Sequence, residues 1–176
     1  MDVLLIIDMQ EASFAERNQF DVDGTIARIN RLAAWVRERD GSVIFIQHDG
    51  LEEEGLLPGS TGWALLDDLI KSESDLVIRK KTNDAFYQTD LKHTLEKLNV
   101  NRLIVSGWAT DFCVDTTIRS AVSHKINILV ASDCHTLKDR PHLKAQTVIA
   151  HHNWIWSELI TDDTTIRVEL LEEILQ

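Results

Sequence analysis

The sequence predicts an α/β protein: a parallel sheet with helices on both faces, a three-layer αβα sandwich. Three observations lead there. Short runs rich in Val, Ile and Leu alternate with longer amphipathic stretches along the whole chain. The runs are apolar throughout, as parallel strands buried on both faces must be. No repeat, linker or low-complexity segment interrupts the alternation.

Six runs read as strands: Val3 to Ile7, Ser42 to Gln47, Asp75 to Arg79, Leu103 to Gly107, Asn127 to Ala131 and a weaker Ser157 to Ile160. Between the first two, Ile26, Ile29, Leu32, Ala33 and Val36 recur at helical spacing, and Asp40-Gly41 stops that helix before the next strand. Further helices are expected over Trp63 to Ile70, Asp90 to Leu98, Asp111 to Ser123, Pro141 to His152 and Thr164 to Leu175. The segment from His48 to Thr61 carries acids, glycines and Pro58 without a period, so it reads as a long loop bordering a site. With 176 residues and 44% hydrophobic content, one domain spanning 1–176 is expected.

A formal net charge of −11 makes the surface repel phosphate backbones and anionic lipid, so neither nucleic acid nor membrane is expected as a partner. No apolar run approaches the roughly 20 residues of a membrane span. The start MDVLLIIDMQ is too short and too acidic for a signal peptide, so a cytoplasmic protein with reduced thiols is the expectation. Two cysteines, Cys113 and Cys134, in unrelated contexts argue against a disulfide framework and against a CxxC redox pair. The seven histidines lack the spacing of a metal shell; neither a metal nor a cofactor is expected.

Open parallel sheets bind ligands beyond the carboxyl ends of their strands, where the strand order reverses and loops diverge. Asp8 follows the first strand, Lys80 the third, and Cys113 the fourth after a short connection, so three reactive side chains share one rim. Around Cys113, ATDFCV looks like a helix start with Thr110 or Asp111 as N-cap. Free backbone N–H groups and the helix dipole there would lower the thiol's pKa and hold an oxyanion. The plain alternative is that Cys113 is a buried small apolar residue. Asp8 ends the apolar run LLII, where desolvation raises a carboxyl's pKa toward that of a proton shuttle; alternatively it caps its own loop. Lys80 has a rival in Lys81, and paired basic residues are most often solvated surface. A lysine beside Cys113 and Asp8 would, however, favour a thiolate. Trp63, Trp108 and Phe14 supply either an aromatic wall or core packing, and Gln10 and His48 belong to the same rim. Cys134 is expected to pack.

These pieces resemble the isochorismatase-like cysteine hydrolase superfamily, which includes nicotinamidases and other amidohydrolases. LLIIDMQ resembles its first-strand Asp-x-Gln, LVIRKKTNDAFYQTDL its lysine segment, and LIVSGWATDFCVDTTIRSA its nucleophile segment. The resemblance implies a Rossmann-like six-stranded sheet of order 3-2-1-4-5-6 and assembly into homodimers or higher homo-oligomers. It implies Asp8 as acid/base, Cys113 as nucleophile and Lys80, rather than Lys81, as the lysine. It also implies a cis peptide between Trp108 and Ala109, with the amides of Ala109 and Cys113 as an oxyanion hole. A substrate pocket of Gln10, Phe14, His48, Trp63 and Trp108 is expected around a small-molecule substrate. FIQHDGLEEEG does not reproduce the metal-binding set of the nicotinamidases, and a retained cysteine points to acyl chemistry. The expected reaction is therefore cleavage of a small amide C–N bond through a thioester. Two rivals remain: enol-ether hydrolysis by general acid catalysis from Asp8, and a catalytically idle binding protein of the same fold.

Overall fold

The computed structural model describes residues 1–176. Its centre is a six-stranded, all-parallel sheet: β1 (Asp2–Ile7), β2 (Ser42–His48), β3 (Leu76–Lys80), β4 (Arg102–Trp108), β5 (Ile128–Thr136) and β6 (Ile166–Glu169). The spatial order is β3-β2-β1-β4-β5-β6, so the order reverses between β1 and β4. Side chains of β1 alternate between the two faces, and both faces are dry. Leu4 and Ile6 join one core with α2 (Val22–Arg37) and α6 (Leu171–Ile174). Val3, Leu5 and Ile7 join the other, with α3 (Leu91–Lys97), α4 (Asp115–Ser123) and α5 (Ala145–Ser157). Each buried Val, Leu or Ile side chain stabilises the sandwich by about 1.5–3 kcal/mol, which is why the runs are apolar throughout.

The α2 stripe of Ile26, Ile29, Leu32, Ala33 and Val36 is buried as its spacing predicts. Beyond Arg37 the chain turns through Asp40, at φ +56°, into β2. Three expected elements come out differently. Trp63 to Ile70 is a series of turns instead of a helix, because long-range backbone contacts capture it: Leu65 bridges Gln10, and the Leu66 N–H donates to the Met9 carbonyl. Ser157 to Ile160 is no strand; Ser157 ends α5 and Ile160 is almost fully exposed. The sixth strand is Ile166–Glu169, inside the stretch expected to be helical. Ile166 and Val168 alternate with Arg167 and Glu169, a two-residue period that lets the segment extend along β5, and only Leu171–Ile174 coils.

Gly107 sits at the point of reversal. Its φ is +117°, and a Cβ there would overlap the Ile7 carbonyl oxygen, so only glycine lets β4 run this close to the end of β1. The next peptide, Trp108-Ala109, is cis.

Candidate active site

Asp8 is the first residue past β1, Lys80 the last of β3, and Cys113 lies in a wide turn that links β4 to α4. The sheet brings all three to one place. The Lys80 Nζ lies 2.6 Å from the Asp8 Oδ2. It also donates to the Cys113 Sγ at 3.4 Å and to the Thr82 carbonyl at 2.8 Å. Its fourth neighbour is the His48 Nδ1, at 3.4 Å. All three side chains are nearly sealed from solvent, whereas Lys81 is exposed. The remaining oxygen of the carboxylate, Asp8 Oδ1, has no hydrogen-bond partner.

The electrostatics follow from burial. Desolvation raises the Asp8 carboxyl above its ordinary pKa although Lys80 pulls it down. The thiol of Cys113 is pushed up to about 12, first by burial and then by the negative charge of Asp8, with Lys80 opposing. This corrects the expectation of a thiolate poised by a helix N-terminus. Residues 110–114 form a π-type turn in which the Val114 N–H donates to the Ala109 carbonyl, and the thiol within it is buried. Neither Thr110 nor Asp111 caps it. The Thr110 Oγ1 pairs with the Nδ1 of buried His135 at 2.9 Å, and Asp111 pairs with Arg140. The Ala109 N–H donates to no group of the chain. Burial and the nearby Lys80 lower the pKa of His48, so its ring is neutral and its Nδ1 can accept from the lysine.

A cleft of about 250 Å³ opens onto the sulfur, lined by Asp8, Gln10, Ser13, His48, Glu54, Leu56, Asn83, Trp108, Phe112 and Cys113. Of the expected pocket residues, Gln10, His48 and Trp108 are on this wall. Gln10 is fully buried, and its amide holds the His48 N–H and carbonyl and the Trp63 carbonyl, so it fixes the wall itself. Phe14 and Trp63 are not on the cleft wall. Phe14 lies in the core, edge-on to Trp108 at 6.2 Å, and the Trp63 indole N–H donates to Asp49 at 2.9 Å. Cys134 is core packing. Sequence reasoning missed Asn83, Glu54, Leu56 and Phe112. Asn83 lies three residues beyond Lys80, and its Oδ1 accepts from the Cys113 thiol at 3.6 Å. No group of three His, Cys, Asp or Glu side chains is disposed to hold a metal ion.

A sheet of this order that gathers carboxylate, ammonium and thiol at its point of reversal belongs to a recognisable class, the hydrolases of the isochorismatase fold. A family model for the isochorismatase domain matches residues 2–161, and the chain belongs to that family, as an isochorismatase-family hydrolase. The isochorismatase family protein YrdC of Bacillus subtilis is 29% identical over 135 residues, 74% of this chain and 71% of that protein. The ureidoacrylate amidohydrolase RutB of Methylobacterium radiotolerans is also 29% identical, over 74% of this chain. The streptothricin hydrolase of Streptomyces noursei is 27% identical over 80% of it. The matches span only 65% and 51% of those two longer proteins. A crystal structure of an isochorismatase family protein superposes with a TM-score of 0.85 at 32% identity, covering 94% of this chain and 96% of the other. An isochorismatase of Pseudomonas putida shares the fold at a TM-score of 0.89 and 22% identity, over 98% and 89%.

Proposed function

We propose that the protein hydrolyses a small amide through a Cys113 thioester. The observation that carries this reading is the single ammonium of Lys80 lying between the Asp8 carboxylate at 2.6 Å and the Cys113 sulfur at 3.4 Å, beneath a cleft that Asp8 and Cys113 line. A thiol pushed up to about 12 holds its proton at neutral pH, so it needs a base at the moment of attack. Asp8 is that base, and its unpartnered Oδ1 takes the proton as sulfur bonds to the carbonyl carbon. Lys80 steadies the sulfur's charge. The carbonyl oxygen becomes an oxyanion facing the amides of Ala109 and Cys113. Collapse breaks the C–N bond, and Asp8 returns the proton to the departing nitrogen. A water molecule then gives a proton to Asp8 and attacks the thioester, releasing the acid and restoring the thiol.

The ureidoacrylate amidohydrolase RutB among the relatives supports the choice of an amide over other acyl groups. The test is ammonia release from a panel of small primary amides, with mass spectrometry of the intact protein during turnover. The expected result is an acyl adduct on the Cys113 peptide, and loss of both adduct and ammonia in Cys113→Ala. Turnover surviving in Cys113→Ala would remove the proposal and leave Asp8 acting as a general acid on its own.

A further inference from the structure

The hollow above Cys113 does not end at the reacting atoms. A second hollow, of about 280 Å³, shares Ser13, Glu54, Leu56, Trp108 and Phe112 with the first, so the two form one continuous trough whose neck is apolar on the side of Leu56, Trp108 and Phe112. Only the second hollow reaches Lys138 and Arg140, in the loop that follows β5.

The charges along this trough are unequal in their freedom. Arg140 is held by two bonds to Asp111, at 2.7 and 2.6 Å, and its guanidinium lies over the ring of Phe112, 5.2 Å from the centroid. That cation braces the neck. Glu54 turns one oxygen back to the Leu51 N–H at 2.8 Å, and its charge at the shared wall disfavours a second anion beside it. Lys138 is exposed, and its side chain makes no ion pair or hydrogen bond, while its backbone is anchored by an antiparallel bridge to Gln19. The root of this side chain is fixed and its head is free. On a chain of net charge −11, Lys138 is the cation of this trough that no carboxylate already holds.

We propose that Lys138 forms an anion subsite, and that the substrate is an extended amide whose distal end carries a carboxylate. This deepens the amidase reading and rests on it for the reaction, though not for the binding. The scissile amide lies over Cys113, an apolar spacer passes Leu56, Trp108 and Phe112, and the carboxylate reaches Lys138 beyond the repulsion of Glu54.

The experiment compares ammonia release from the monoamides of succinic, glutaric and adipic acids with that from neutral and ω-amino amides of matching length. Wild type, Lys138→Ala and Lys138→Glu are each assayed. A charge-assisted contact predicts a preference of about tenfold in kcat/KM for the best carboxylate-tailed amide. Lys138→Ala should lose that preference through KM, with kcat held, and Lys138→Glu should turn it toward the ω-amino amides. Equal rates for neutral and carboxylate-tailed amides, or a wild-type preference for the ω-amino series, would overturn the subsite. Binding of glutarate to wild type and Lys138→Ala, by calorimetry, separates the two readings. If no amide is hydrolysed yet glutarate binds in a manner that depends on Lys138, the subsite stands and the amidase reading falls. If amides are hydrolysed and glutarate binds both proteins alike, the subsite falls alone.

Discussion

Lys80 offers three N–H donors to four neighbours: the Asp8 carboxylate, the Thr82 carbonyl, the Cys113 sulfur and the His48 ring nitrogen. Its charge is divided between a carboxylate it already neutralises and a sulfur it can neutralise only if the proton leaves. In the proposed mechanism Asp8 therefore plays two opposed parts, suppressing the thiolate at rest and accepting its proton during attack. The two can be separated. In Asp8→Asn the negative charge that helps push the Cys113 thiol up is gone, and Lys80 faces the sulfur without a competing carboxylate. Iodoacetamide should then alkylate Cys113 faster than in wild type at pH 7, while turnover drops by about 10²–10⁴-fold for want of a base. Slower alkylation in this variant would mean that Asp8 activates the resting thiol instead of restraining it. The three residues were legible as candidates because each lies at or just beyond the carboxyl end of a strand, and the family resemblance then selected Lys80 over Lys81. The thiol's resting state was not legible, since it is set by depth and by a carboxylate far away in the chain.

At the scale of elements, the contact between the ends of β1 and β4 sets where the sulfur stands relative to the carboxylate. Gly107 makes that contact possible, and Gly107→Ala would force a methyl group onto the Ile7 carbonyl at a backbone angle that L side chains avoid. The expected cost is about 3 kcal/mol. For a chain of this size that lowers Tm by roughly 6–12 °C, readable by thermal denaturation. An unchanged Tm would show that the strands can separate cheaply. The elements that sequence reading placed well are those with a single consistent period, such as α2 and the central strands. Ile166 to Glu169 was misread because a two-residue alternation of Ile-Arg-Val-Glu sits beside the helical spacing of Leu171 and Ile174, and pairing with β5 decides between them. Trp63 to Ile70 was misread because its backbone partners, Met9 and Gln10, lie more than fifty residues away.

For the molecule as a whole, stability should depend on pH through a residue the chemistry does not touch. His135, at the end of β5, is completely enclosed. It accepts from the Thr110 hydroxyl at 2.9 Å and donates to the Asn153 Oδ1 at 3.0 Å, tying α5 to the turn that carries Cys113. Burial drives its pKa down to about 4, below the ordinary 6.5. The unfolded chain thus binds a proton at this site at higher pH than the native one does. Stability is full above pH 6.5 and falls as pH drops toward 4, by about 3 kcal/mol from this group. Urea denaturation at pH 7 and pH 4.5 should show the fall, and His135→Gln should flatten it. A dependence of equal steepness in that variant would place the acid sensitivity elsewhere. The floor of the cleft was more legible than its outer wall for a related reason: Glu54, Leu56 and Lys138 come from loops whose meeting point depends on the folded whole.

The carboxylate and thiol hang from the ends of β1 and β4, the middle of the sheet, whereas Glu54, Leu56, Lys138 and Arg140 of the outer trough come from the loops after β2 and β5. On the proposed reading, bond-breaking and recognition are thus mounted on largely different parts of the scaffold. Insertions or exchanges in the peripheral segments can redirect which molecule is accepted without disturbing the machinery that cleaves it, so one unchanged engine can be inherited by descendants with unrelated diets.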